Sequence, residues 1–165
     1  MAEALEQVHP IPPLWDENSH ILILGSFPSV KSREARFFYN HPQNRFWKVL
    51  AAVLGCPVPG DIPEKRAMLL GHGVALWDVI ARCEIRGSSD ASIRGAVPND
   101  LGPILRGAPI RRIFCNGGTS FSHYKKLQLP LTGREAVRLP STSPANAAWH
   151  LEDLIRDWQI IREDL

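Results

Sequence analysis

The sequence predicts an α/β domain with three α/β/α layers, in which helices cover both faces of a central four-stranded parallel sheet. Three observations carry this expectation. Four short apolar runs, rich in β-branched residues or ending at glycine, lack the polar alternation of a half-exposed sheet. Helical patterns lie between them, and strands that alternate with helices favour parallel pairing. With 165 residues, 44% of them hydrophobic, the chain can fill one core but not two, so a single domain over 1–165 is expected.

The proline-rich stretch "HPIPPLWDENS" reads as an approach to the first strand, "HILILG" (20–25). "NRFWKVLAAVL" (44–54) sets Phe46, Trp47, Leu50, Val53 and Leu54 on one helical stripe, which Gly55 and Pro57 end. "IPEKRAMLLGHG" (62–73) is a helix with proline in its first turn and glycine at its end. "VALWDVI" (74–80), "RRIFCNGG" (111–118) and "EAVRLPS" (135–141) are the other strands. "NDLGPILRG" (99–107), "TSFSHYKKLQ" (119–128) and "PANAAWHLEDLIRDWQII" (144–161) complete the helices, and "IREDL" reads as a frayed end.

Composition narrows the function. A net charge of +2 and a pI near 8.6 are too mild for a protein that coats nucleic acid by bulk charge, yet they allow a locally basic face. No run approaches the roughly 18 apolar residues of a membrane span. "MAEALEQVHP" lacks the basic start and apolar middle of a signal peptide, so a cytoplasmic protein is expected. Cys56, Cys83 and Cys115 are widely spaced and form no CxxC, which argues against a disulfide framework or an iron–sulfur cluster. They read as buried thiols. The histidines do not cluster at metal-ligand spacing, and no metal or cofactor is expected.

In parallel α/β sheets, ligands bind at the carboxyl ends of the strands. Here those ends run into Gly25-Ser26-Phe27-Pro28-Ser29, Asp78, Asn116-Gly117-Gly118 and Pro140-Ser141-Thr142-Ser143-Pro144. The last of these stands before the final helix, where its hydroxyls fit a cap and the exposed N–H groups fit an anion seat. "GSFPS" is neither GxxxxGK[ST] nor GxGxxG, so nucleotide binding gains no support. In "HPQNRFW" (41–47), His41 has no second histidine or carboxylate beside it, which argues against a catalytic base. Phe37, Phe38 and Tyr39 fit either core packing or a stacking wall. Asp78 fits a cap, an ion-pair partner or a site carboxylate.

"ILGSFPS", "FFYNHPQNRFW", "LWDVI", "FCNGG" and "LPSTSPAN", in this order across nearly the whole chain, resemble the uracil-DNA glycosylase superfamily. The likeness is nearest to its hypoxanthine-DNA (deoxyinosine) glycosylase branch, family six. The resemblance implies a monofunctional base-excision repair enzyme acting on damaged DNA, as a monomer, at a prokaryotic nucleoid. Such an enzyme flips out a deaminated base, chiefly hypoxanthine, and hydrolyses its N-glycosidic bond to leave an abasic site. Two slots depart from the uracil relatives: Phe27 stands where they carry a water-positioning asparagine, and Leu139 where they carry a histidine. The resemblance therefore assigns catalysis to Asn44. Its amide can orient a water or hydrogen-bond the leaving purine. Base contacts are expected from Gly25, Ser26, Phe27, Asn116, Tyr39 as the stacking ring and Asp78 as an acceptor for N1–H. DNA contacts are expected from His41, Ser141, Thr142, Ser143 and Pro144; Lys31, Arg33, Arg36, Arg45 and Lys48 fit either phosphate contacts near the same rim or, for most of them, a solvated helix face. The alternatives are a mismatch-type glycosylase acting on uracil or xanthine, a non-catalytic binder of damaged DNA and, last, a flavodoxin-like small-ligand binder.

Overall fold

The computed structural model describes residues 3–165; Met1 and Ala2, at the head of the expected 1–165 domain and of "MAEALEQVHP", lie outside the described residues. The chain runs β1 (Leu5–Val8), β2 (Ile21–Gly25), α1 (Val30–Ala35), α2 (Phe46–Leu54), α3 (Ile62–Gly71), β3 (Val74–Asp78) and β4 (Ile80–Ile85). It continues through β5 (Arg94–Pro98), α4 (Gly102–Gly107), β6 (Arg112–Asn116), α5 (Gly118–His123), α6 (Leu129–Thr132), β7 (Ala136–Leu139) and α7 (Leu151–Trp158).

The four strands read from the sequence form the central sheet, all parallel, in the order β3-β2-β6-β7. Both faces are covered, which is why these runs carry apolar residues without alternation. One core packs Ile21, Ile23 and Phe114 of the sheet against Phe46, Trp47 and Trp158 of α2 and α7. The other packs Leu22, Leu24 and Ile113 against Ile104 and Tyr124. Register places Gly25 beside Asp78, and Asn116 beside Leu139, so the polar strand ends share one edge.

A second sheet, absent from the sequence reading, is antiparallel in the order β1-β4-β5. The run expected to be one strand over 74–80 breaks at Val79, and in the strand that follows buried Ile80, Cys83 and Ile85 stand among the more open Ala81, Arg82 and Glu84, with register shifts against β5. One face of this ribbon is solvated, as antiparallel sheets allow. The proline-rich approach segment is also more than a lead-in: Ile11 and Leu14 are core residues, and Leu14 exchanges two backbone hydrogen bonds with Leu76.

The final helix starts seven residues later than expected. Residues 144–150 are turns, because the Ser141 and Ser143 hydroxyls accept from the backbone N–H groups of Ser143 and Ala145 at 3.1 Å each and turn the chain locally. Helix α7 is capped by His150 and Asp153. The serine-rich loop is therefore no helix N-terminus, and the anion seat expected there is not formed. The chain's last residues are not frayed: a 3₁₀ turn over Gln159–Asp164 buries Ile161, and Asp164 pairs with Arg112 at 2.9 Å. The helix expected over 119–128 becomes α5 followed by a π-helical turn at Tyr124–Gln128. Among the described residues, no helix is long and apolar enough to cross a membrane.

Trp158 joins the two ends of this arrangement. It is fully buried, meets the Phe46 ring edge-on at 5.9 Å and donates its indole N–H to the Pro140 carbonyl at 2.9 Å. Trp158→Ala is expected to cost about 3–5 kcal/mol of stability, measured by denaturant unfolding, because the sheet and α2 cannot close a hole of that size.

Candidate active site

A cavity of about 290 Å³ opens at the carboxyl edge of the parallel sheet, at the small end of the usual range for ligand sites of about 300–1,000 Å³. Gly25, Ser26 and Phe27 after β2, Asp78 at the end of β3 and Asn116 at the end of β6 line it. Tyr39, His41 and Asn44 come from the loop before α2, and Ser141, Thr142, Ser143 and Pro144 from the loop after β7. Asn44 and every base- and DNA-contact residue named from the sequence thus reach one space, whereas the five basic residues named for phosphates do not line it.

Three neutral polar groups form a chain along one wall. The Asn116 amide donates to Thr142 Oγ1 at 3.0 Å and accepts from the Thr142 backbone N–H at 3.0 Å. Thr142 is fully buried, and its hydroxyl donates onward to Asn44 Oδ1 at 2.8 Å. Asn44 Oδ1 also accepts from the backbone N–H of Phe46 at 3.0 Å. A backbone N–H can only donate, so this bond fixes which end of the Asn44 amide is oxygen. With Oδ1 held twice, the amide hydrogens of Asn44 are the part left for a ligand. The helix begins at Phe46 rather than at residue 44, so Asn44 supports the first turn of α2 and lines the cavity together.

Asp78 forms the opposite electrostatic element. It is buried, and its Oδ2 lies 2.7 Å from Nε2 of His9, which is also buried. His9 Nδ1 accepts from the Ile11 N–H at 3.1 Å, so the proton sits on Nε2 and is donated to Asp78. The other carboxylate oxygen lies only 2.3 Å from where a side chain at Gly25 would begin. Glycine is required there by space. His9 was missed in the sequence, where a lone histidine among prolines carries no periodic or motif signal.

Tyr39 stacks on Phe46 with ring centroids 4.0 Å apart and is held at a φ of 49°, an uncommon backbone state for an aromatic residue. Trp47 fixes it there by donating to its carbonyl at 3.2 Å. Its buried hydroxyl has no hydrogen-bond partner, and burial together with the Asp78 charge raises its pKa; Asn116 lies near enough to oppose that rise slightly without forming a bond of normal geometry. Phe37 and Phe38 are core residues, Phe37 stacking on Trp47, while Phe38 also reaches the cavity wall. His41 Nδ1 accepts from the Gln43 N–H at 3.1 Å, which fits a loop-shaping role at the cavity lip.

Arg45, read from the sequence as a phosphate contact, is instead a clamp. Its guanidinium donates to the carbonyls of Ser143 at 2.9 Å, Asn146 at 3.1 Å and Trp149, which ties the 141–149 loop to the start of α2. Arg33 donates to the Gly87 carbonyl at 2.6 Å and covers the Phe27 ring. Arg36 and Lys48 are exposed, and Lys31 is exposed beside Glu34. Burial pushes the Cys83 thiol up to about 11 and the Cys115 thiol up to about 12, so neither is a thiolate nucleophile near neutral pH. Among the described residues no cluster of histidine, cysteine and carboxylate side chains is arranged to hold a metal ion.

Residues 12–162 match the family model of the uracil DNA glycosylase superfamily. The chain belongs to the uracil DNA glycosylase superfamily. Among its similar superfamily proteins is a hypoxanthine DNA glycosylase of Methanosarcina acetivorans, 35% identical over 82% of this chain and 85% of the relative. A hypoxanthine DNA glycosylase of Methanosarcina barkeri is 32% identical over the same shares. A solution NMR structure from Methanosarcina acetivorans, provisionally described as a uracil DNA glycosylase, superposes with a TM-score of 0.76 at 29% identity, covering 92% of this chain and 96% of that one. The expected superfamily and the three-layer fold both stand.

The chain from Asn116 through Thr142 to Asn44 gives a direct test of this wall. Thr142→Val keeps the shape but removes the hydroxyl, leaving the two asparagines short of a partner. Chemical denaturation is expected to show a loss of about 1–3 kcal/mol, the usual cost of stranding a buried polar group.

Proposed function

We propose that this protein is a DNA glycosylase that removes hypoxanthine from DNA by hydrolysing its N-glycosidic bond, with Asn44 as the catalytic residue. The observation that carries the reading is the double anchoring of Asn44 Oδ1 by Phe46 and Thr142, which leaves the amide hydrogens as donors on the cavity wall. As the glycosidic bond breaks, its electron pair stays on the purine, and a fixed N–H donor aimed at that charge lowers the barrier. Of the two chemistries open to an asparagine, the anchoring favours stabilising the departing base over orienting a water through the carbonyl. The names of the two Methanosarcina relatives support the substrate.

The base must first leave the helix, at a cost of a few kcal/mol that is smallest for a damaged or mispaired base. Tyr39, backed on one side by Phe46, offers its other face for stacking. Asp78 reads the base edge: His9 occupies one carboxylate oxygen, and the other accepts the N1–H of hypoxanthine while repelling the N1 lone pair of adenine. Uracil and xanthine also present an N–H beside a carbonyl, so Asp78 alone separates hypoxanthine from adenine but not from these. We take the working unit to be a monomer and place its action in the cytoplasm on chromosomal DNA.

Duplexes carrying inosine, uracil or xanthine, incubated with excess enzyme, test the reading. Inosine is expected to give the fastest abasic product. Asn44→Ala is expected to lower single-turnover excision by about 10²–10³ with lesion-DNA affinity retained. Asn44→Asp keeps the oxygen that Phe46 and Thr142 hold and loses the donors, so it is expected to be equally slow. An Asn44→Asp enzyme near the wild-type rate would move the role to the carbonyl.

A further inference from the structure

We propose that Asp90 is a second catalytic residue, which faces the deoxyribose of the flipped nucleotide, steadies the cationic sugar and takes the proton of the attacking water. The proposal rests on the glycosylase reading and concerns the same cavity. Asp90 belongs to a 3₁₀ turn, Asp90–Ser92, between β4 and β5, and it reaches the cavity from the antiparallel sheet rather than from the parallel one. Ser26, next to Gly25, donates its hydroxyl to Asp90 Oδ1 at 2.9 Å across a sequence separation of 64 residues. That bond fixes the carboxylate on the wall and leaves Oδ2 to face a ligand.

Depth separates the two carboxylates. Asp78 and Thr142 are buried, whereas Asp90 is exposed at the lip, where the cavity opens into the groove lined by Ser141, Ser143 and Trp149. A base that enters to the level of Asp78 leaves its C1′ at the lip. Affinity does not account for a carboxylate in that place, since a negative charge at the entrance repels DNA phosphates. Asn44 cannot accept a proton near neutral pH, and Asp90 can.

The step balances as follows. The C1′–N9 bond breaks, and its electron pair stays on the purine. The water oxygen bonds to C1′ while one of its protons passes to Asp90. The purine takes up a proton from solvent and leaves as neutral hypoxanthine, and Asp90 releases its proton to solvent.

Several charged and titratable groups surround Asp90. Asp78 and Tyr39 face it from the cavity, and Cys83 lies near it in the core of β4 with Arg33 beyond; Arg94, Arg138 and His123 share its outer groove. Although the residue as a whole is open to solvent, partial burial of its carboxyl group holds it above the usual aspartate range, the Ser26 hydrogen bond opposes this, and the charge of Asp78 adds to it. The working form is ionised, so the rate falls as pH drops through this raised value.

Single-turnover excision from an inosine duplex, measured across pH with melting curves and lesion-DNA affinities, tests the assignment. Asp90→Asn is expected to lose at least about 100-fold in rate, to lose the acidic limb of the profile, and to bind lesion DNA as tightly as wild type or more so. Ser26→Ala, which removes the bond that holds the pKa down, is expected to move the acidic limb to higher pH, and it tests the idea if Asp90→Asn does not fold. A near-wild-type Asp90→Asn rate, a rate loss matched by an equal loss of affinity, or an acidic limb unmoved by either substitution overturns the role of Asp90. Wild-type protein inactive on inosine, uracil and xanthine alike overturns the glycosylase reading itself, and this role with it.

Discussion

A group of buried amides, set where the chain leaves one sheet for the other, holds the structure in place. Between Asp78 and Ile80 the backbone passes from the parallel to the antiparallel sheet, and its carbonyls there are sealed from water. Asn99 donates its side-chain amide to the carbonyls of Asp78 at 2.9 Å and Ile80 at 3.1 Å. Gln128 donates to those of Val79 at 3.0 Å and Asn99 at 2.8 Å. Each carbonyl left bare would cost about 1–3 kcal/mol, so the crossing is affordable only with both amides present. The π-helical turn at Tyr124–Gln128 is the local distortion within which Gln128 sits. The N–H groups on the other side of the same crossing bond the Gly25 and Ser26 carbonyls at 2.8 and 3.1 Å, which ties the first cavity loop to the junction.

The cavity above this junction combines neutral and charged groups in separate places. On the Asn44 side, hydrogen bonds run between amides and a hydroxyl, so the geometry is fixed without a net charge that a departing anionic base would meet. On the Asp78 side, a carboxylate is tolerated in the interior because His9 donates to it at 2.7 Å. Tyr39 carries backbone strain between these two regions, and its position is over-determined by the stack on Phe46 and the bond from Trp47. Strain retained at such a point is characteristic of sites whose shape is set before the ligand arrives.

Much of this was legible in the sequence, for identifiable reasons. The parallel strands announce themselves because both faces are buried and the apolar runs are continuous. The site loops announce themselves because glycine, proline, serine and asparagine gather where those runs end. The antiparallel sheet was missed because "IARCEI" alternates weakly and follows an apolar strand without a turn signal. The late start of α7 was missed because serine hydroxyls that cap helices also close short turns, and composition does not say which. His9, Asp90 and the clamp role of Arg45 depend on partners 69, 64 and about 100 residues away, and no local pattern encodes such distances.

The Arg45 clamp bears on how the protein comes into being. It joins positions 98 to 104 residues apart, and the Asn44–Thr142 bond spans 98. Closing loops of that length carries an entropic cost that must be met before the contact returns anything, so such contacts form late in folding. A chain still being synthesised has its first sheet strand and the α2 helix long before the loop that completes the cavity exists. A half-made molecule therefore has no closed pocket at the strand ends, and on the proposed function any capture of an extruded base waits for the finished fold.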